Sequence, residues 1–374
     1  MLIDRRWQFW AALLLMVVLL SCPLAGCTRT TTTVITATET TTTTITTTVT
    51  YTPTPTPTRK PAHHWRWAQT YAKGSDHDLR SRAVARKILE ESNGRIVIDV
   101  FSGDELGDWF TVYRGVMRGV IDMALNPIPT EYDPRLRVKW MPYLVKDYEE
   151  AKRAYSPDGF LYRIFARLLE QQGVKGLAVW AQGLTGVSLK VEPPSPGDPD
   201  VPKGLRVRVP LNKAFELGWQ RLGYDTIYVP LAETYTALYT GVLDGQTGSG
   251  PYQTYTRYRD VQGCYIQYND YLDAWWFIMN LGLWHSLSRE DQRIVQDACL
   301  EQSELRFERA AQEDAIYLDK LRAAGIKVII LSEEELERCA AAIRQDVWPQ
   351  LEELIGKPLL NELRAGLAAL EATR

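Results

Sequence analysis

The chain has 374 residues, more than a single ordinary domain needs, so two lobes are the first expectation. A hydrophobic share of 45% and a charged share of 24% are those of a globular protein and exclude a fibrous or wholly disordered chain. A formal net charge of −3 offers no electrostatic hold on nucleic acid, so no nucleic-acid partner is expected.

Arg5 and Arg6 precede an apolar run from Trp7 to Leu20 that is too short for a comfortable membrane span. The following Leu24-Ala25-Gly26-Cys27 resembles the bacterial lipobox. That resemblance implies that residues 1–26 are a lipoprotein signal peptide and that Cys27 carries a diacylglycerol. Acyl chains hold a protein to a bilayer at about 0.8 kcal/mol per buried methylene. The expected location is therefore extracytoplasmic, in the periplasm or on the outer face of the cytoplasmic membrane. Residues 27–62 are mostly threonine and end in Thr-Pro repeats. They are too poor in apolar groups to offset the entropy of ordering and read as an extended, disordered stalk. Of five cysteines, Cys264, Cys299 and Cys339 remain for the folded part, with no C-x-x-C spacing to suggest a metal or redox site. Their default reading is as small buried hydrophobes.

The folded region opens with a strand at Trp65–Tyr71 and a helix over 78–92 whose apolar residues Leu79, Ala83, Val84, Ile88 and Leu89 fall at helical spacing. Asn93-Gly94 closes it. A strand at Arg95–Phe101, a helix at Phe110–Arg118 and a strand at Val120–Leu125 complete a β-α-β-α-β opening, which predicts a parallel sheet covered by helices. Helices are expected around 147–155 and 160–172, and a strand at 175–181. A strand at 205–209 precedes a helix capped by Asn212, a strand at 226–229 and a short helix ending near Gly241. Ala274–Leu281 is nearly all apolar and reads as a strand buried on both faces. Ser288 then caps a helical stretch that nothing breaks before Gly325, long enough to run along two lobes. A strand at 327–331 and helices at 333–355 and 358–370 close the chain.

Catalytic signatures are missing: there is no G-x-S-x-G, H-E-x-x-H, phosphate-binding glycine loop or dinucleotide fingerprint, and no cofactor or metal is expected. His63, His64 and His285 read as incidental. His77 follows the first strand, where an open sheet places its cleft.

The run Gly204-Leu205-Arg206-Val207-Arg208-Val209-Pro210, followed by Val229-Pro230-Leu231-Ala232-Glu233-Thr234-Tyr235 and on to Gly241-Val242-Leu243-Asp244-Gly245-Gln246, resembles the substrate-binding subunits of TRAP transporters, the dicarboxylate-binding type. Gly119-Val120-Ile121-Asp122-Met123-Ala124 and Leu283-Trp284 with Ser286-Leu287-Ser288 resemble further motifs of that family, in order, so the similarity runs from about Trp65 to the C-terminus. It implies an α/β, two-lobe, type II-like periplasmic-binding-protein fold with a hinge and a long helix spanning both lobes. The corresponding division is 63–186 with 274–312 for the first lobe, and 187–273 with 313–374 for the second lobe and the C-terminal helices. The implied partners are a small organic acid and the membrane permease subunits, with the chain a monomer or a homodimer.

The resemblance places the family's carboxylate-clamping arginine on Arg208. Strand alternation agrees: Leu205, Val207 and Val209 share one face and Arg206 and Arg208 the other, with Arg208 at the carboxyl end of the strand. Its planar fork suits a carboxylate, while Arg206 is expected to face solvent or an acid. Thr185 stands where many relatives carry a second arginine, and Thr247-Gly248 replaces the usual Glu-Asn after Gln246. The metal-liganding Glu of the keto-acid branch, and the Trp beside it, are absent too. These departures favour a monocarboxylate, or a ligand with a polar or aromatic tail. Gln69, Tyr71 and Asn126 end strands and are cleft candidates, as are Trp180 and Trp275 for its walls and Thr185, Gln246, Thr247 and Gly248 for its polar lining. Trp109 and Trp276 are further aromatic candidates. A sensor lipoprotein feeding a receptor would use the same cleft, and an enzyme on this scaffold would need a nucleophile or acid–base pair that the sequence does not assemble.

Overall fold

The computed structural model describes residues 62–372. The signal segment, Cys27 and almost all of the stalk lie outside the described residues.

The chain enters on β1 (His63–Gln69), with Trp65 and Trp67 turned inward. Ser75 caps α1 (Asp76–Glu91), its hydroxyl accepting from the Asp78 N–H. β2 (Ile96–Phe101), α2 (Trp109–Met117) and β3 (Met123–Asn126) complete the opening, and a 3-10 turn at Pro134–Trp140 leads on. α3 (Tyr148–Ala154) and α4 (Phe160–Glu170) precede β4 (Val174–Leu184). The chain then builds a second layer: β5 (Gly186–Leu189), β6 (Arg206–Val209), α5 (Lys213–Arg221), β7 (Asp225–Tyr228) and α6 (Thr234–Thr240). Asn212 caps α5 by accepting from the Ala214 and Phe215 N–H groups. β8 (Gly245–Ser249), α7 (Pro251–Arg257) and β9 (Cys264–Gln267) finish that layer. β10 (Leu272–Asn280) and α8 (Leu281–Ser286) return to the first layer, and α9 (Arg289–Ala323) follows. β11 (Lys327–Ile330), α10 (Glu333–Asp346), α11 (Glu352–Ile355) and α12 (Lys357–Glu371) close the chain.

Two sheets result, one per lobe. The first has the order β2-β1-β3-β10-β4 and the second β11-β9-β5-β8-β6-β7. β1 runs parallel to β2 and β3, as the β-α-β-α-β pattern predicts. β10 is antiparallel to both β3 and β4, because it arrives from the other sheet rather than through a crossover helix. The lobes are joined at Thr185, between β4 and β5, at residues 268–271, between β9 and β10, and by α9. The two strand connections are tied together, since Thr185 N–H donates to the Tyr271 carbonyl at 2.9 Å. α9 packs on β4 of the first lobe and, further along, on α7 and β11 of the second. Its buried residues recur at three- and four-residue spacing from Asp291 through Ala310.

Two expectations need correction. The segment from Gln246 to Pro251, for which the sequence pattern suggests no strand, is mostly β8, a strand buried between β5 and β6. The helix expected at 333–355 breaks after Asp346, where Pro349 sits in a 3-10 turn. Of the C-terminal helices, α12 rests on α3 and α4 of the first lobe. Cys264, Cys299 and Cys339 are buried and free.

Candidate functional site

Aromatic rings converge where β1, β4 and β10 end. Trp180 and Trp275 are direct cross-strand partners on β4 and β10, which sets them on the same face of the sheet. His77, in the first turn of α1, stacks on Tyr71 with 3.8 Å between ring centroids and 5° between planes. It also lies 5.2 Å from Trp180 and 5.3 Å from Trp275. Burial, then the nearby Arg306 guanidinium, pull His77 down to about 4, so the ring is neutral at physiological pH. Tyr71 is held by Gln69, whose Nε2 donates to the Tyr71 carbonyl at 2.8 Å and whose Oε1 accepts from the Tyr71 N–H at 2.7 Å. Gln69 therefore positions a wall residue, with both ends of its amide already spent.

The end of β4 is irregular for a physical reason. Ala274 pairs with Ala181 and Asp273 with Gly183, so Gln182 is the extra residue of a β-bulge. The bulge turns its side chain to accept from Trp180 Nε1 at 2.9 Å and to donate to the Tyr71 hydroxyl at 3.1 Å. Arg306, on the buried stripe of α9, fastens the same place from behind. It donates to the Ala181 and Gln182 carbonyls at 2.6 and 2.7 Å and pairs with Glu313 at 2.9 Å.

These groups border a cavity of about 290 Å³, whose far wall comes from the second lobe at Gly250, Tyr252 and Gln253. Tyr71, His77, Trp180 and Thr185, all expected at the cleft, line it. Trp275 packs against Tyr71 at 5.3 Å. The cavity also carries four carboxyls that sequence reasoning missed, those of Asp76, Asp273, Glu313 and Asp314. Desolvation pushes Asp273 up to about 6, against the pull of Lys139, and pushes Asp314 up to about 7, against the hydroxyl hydrogen bond it accepts from Tyr148. Thr185 faces inward: its hydroxyl is within reach of Asp270 Oδ1 at 3.0 Å and the Tyr271 carbonyl at 3.1 Å. Burial raises Asp270 to about 7.

The second lobe presents the two arginines of β6 differently. Arg206 is exposed and makes a forked pair with Asp244, at 2.9 and 3.0 Å. Arg208 is 9% exposed. Its Nε donates to the Val229 carbonyl at 2.9 Å, and among the described residues its two terminal nitrogens have no hydrogen-bond or ion-pair partner. Burial lowers its pKa, opposed by Tyr258 and Tyr228. Arg208 is not one of the groups bordering the 290 Å³ cavity.

The polar residues expected around it belong to β8. Thr247 Oγ1 donates to the Arg208 carbonyl at 2.9 Å, and Gln246 accepts from Ser249 Oγ at 3.2 Å while its Nε2 has no partner among the described residues. Gly248 has φ +74°, which favours glycine, and a Cβ there would crowd the Phe215 ring at 3.1 Å. Asn126 is fully buried, donating to the Trp109 and Pro127 carbonyls at 2.8 Å each, with Oδ1 unpartnered. Among the described residues no group of three or more metal-ligating side chains is placed to hold an ion, and no helix is long and apolar enough to cross a membrane.

Sequence and structure comparisons bear on this arrangement. The profile of the bacterial extracellular solute-binding proteins, family 7, matches residues 75–353. A Haemophilus influenzae protein is 28% identical over 65% of this chain and 73% of its own. The C4-dicarboxylate-binding periplasmic protein DctP of Vibrio cholerae is 25% identical over 78% of this chain and 86% of its own. The crystal structure of a TRAP periplasmic solute-binding protein from Ochrobactrum anthropi superposes with a TM-score of 0.75 at 23% identity, covering 84% of this chain and 97% of that one. With a match across most of its folded part and the two-lobed architecture in agreement, the chain belongs to the bacterial extracellular solute-binding proteins of family 7.

Proposed function

We propose that the protein is the extracytoplasmic capture subunit of a TRAP-type secondary transporter. It takes up a small organic carboxylate between its lobes, clamps it with Arg208, and passes it unchanged to membrane permease subunits. Cys27 carries the lipid that holds it at the membrane, and the Thr/Pro-rich stalk lets the folded body stand off the surface.

One observation carries this reading: a buried guanidinium whose terminal nitrogens are unspent and which no carboxylate of the described chain neutralises. Taking a charge out of water costs several kcal/mol unless a partner restores what water supplied. A ligand carboxylate does so with two parallel N–H···O bonds. The C4-dicarboxylate named for the Vibrio cholerae relative belongs to the same chemical class. The paired strand connections at Thr185 and residues 268–271 provide a place for the lobes to bend.

The test is a calorimetric screen of keto, hydroxy, aromatic and sugar acids, followed by Arg208→Ala and Arg208→Lys with whichever acid binds. Losing one partner of a buried, hydrogen-bonded charge pair costs about 2–5 kcal/mol, so the alanine variant is expected to bind at least about 30-fold more weakly. Lysine keeps the charge without the fork and is expected to fall between. Unchanged affinity in Arg208→Ala would refute the clamp.

A further inference from the structure

The cavity of about 290 Å³ is charged the wrong way for a second carboxylate. Its lining includes the carboxyls of Asp76, Asp273, Glu313 and Asp314 against a single guanidinium, Arg306. Arg306 has little left to offer a ligand, because its nitrogens already serve the Ala181 and Gln182 carbonyls and Glu313. Asp76 is likewise covered, by Arg80 at 3.1 Å and Arg309 at 3.3 Å. Asp273 and Asp314 differ: among the described residues neither forms an ion pair. Lys139 acts on Asp273 through space, but its Nζ donates to the Ile128 carbonyl at 2.6 Å and lies 4.4 Å from the Trp140 ring. Arg257 acts on Tyr71 from the second lobe and is exposed.

The remaining lining mixes aromatic rings with the uncharged polar groups of Gln182, Thr185 and Gln253. Tyr71 is 39% exposed and Tyr252 48% exposed, one from each lobe, and Trp275 packs beside Tyr71. His77, 7% exposed and neutral, stacks on Tyr71, and among the described residues its Nε2 has no hydrogen-bond partner. Aromatic faces beside carboxylates that lack a counter-cation attract an ammonium group, through the ring quadrupole and through direct Coulomb attraction. We propose that this cavity receives the ammonium end of a zwitterionic solute, a proposal that rests on the solute-binding reading.

The experiment compares isosteres by calorimetry on the purified protein at neutral pH. Glycine betaine and 3,3-dimethylbutanoate have the same shape and the same carboxylate, with a quaternary nitrogen in one and a carbon in the other. Galactonate serves as a polyol acid. Betaine is expected to bind about 10-fold or more tightly than 3,3-dimethylbutanoate. Asp273→Asn should erase that preference by weakening betaine alone. Equal binding of the isosteres, binding of neither, or preference for galactonate would overturn the proposal. Arg208→Ala separates the two readings. An equal loss of both isosteres supports the clamp, whereas undiminished binding with the betaine preference intact removes the clamp and leaves the ammonium site standing.

Discussion

Two arginines among the described residues are more than nine-tenths buried, Arg306 and Arg208, and the protein treats them in opposite ways. Arg306 sits midway along α9 and is saturated: two backbone carbonyls, the Glu313 carboxylate and the face of Trp180, 5.1 Å away. It fixes the long helix to the bulge of β4 and so sets the shape of the cleft wall. Arg208 gives one N–H to Val229 and keeps the rest. Burial alone therefore does not mark a charge as functional. What separates the two is whether the fold has already used the donors.

The comparison can be broken most forcefully by truncating each arginine and measuring stability by denaturant titration. Arg306→Ala leaves two carbonyls unsatisfied and unpairs a part-exposed Glu313, so a loss of about 2–4 kcal/mol is expected. Arg208→Ala should leave the folded state nearly as stable as the parent, since it gives up one hydrogen bond and removes an uncompensated charge. Equal destabilisation by the two would erase the distinction.

A buried acid at the lobe junction sharpens the same point through pH. Asp270 accepts from Thr185, has no cationic partner among the described residues, and is raised to about 7. A carboxyl whose folded pKa lies above its unfolded value, near 4, contributes stability that is complete below pH 4 and is lost as pH climbs to 7. The parent should therefore lose stability over that window at up to about 1.4 kcal/mol per pH unit from this group. Asp270→Asn should flatten the profile and be the more stable of the two at pH 8. Parallel melting-temperature curves from pH 4 to 8 would contradict the assignment.

The smallest effect is expected at Arg206, next but one to the proposed clamp. Its pair with Asp244 is at the surface and screened by water and salt. Arg206→Ala should change neither melting temperature nor ligand affinity beyond measurement error. A clear loss of affinity would mean that the wrong arginine of β6 has been assigned to the ligand.

Much of this was legible before the structure. Alternation placed Arg208 at the carboxyl end of a strand, Asn212 announced the cap of α5, and the unbroken stretch after Ser288 became α9. β8 was not legible, because Gly-Gln-Thr-Gly-Ser carries almost no β-branched or apolar signal, and it is a strand only because β5 and β6 enclose it. The bulge at Gln182 is a matter of register between two distant strands, which no local pattern encodes. Asp314 and Asp273 were passed over because a lone acid reads as a solvated face. Arg306 could have been found: it continues the spacing of Cys299 and Gln302 along the buried stripe, where a charge requires a partner.

The most direct measurement is the crystal structure of the protein with the carboxylate that the screen selects. The account predicts both carboxylate oxygens within about 3 Å of the terminal nitrogens of Arg208, in the plane of the guanidinium. A bound ligand that leaves those nitrogens without its carboxylate would contradict it.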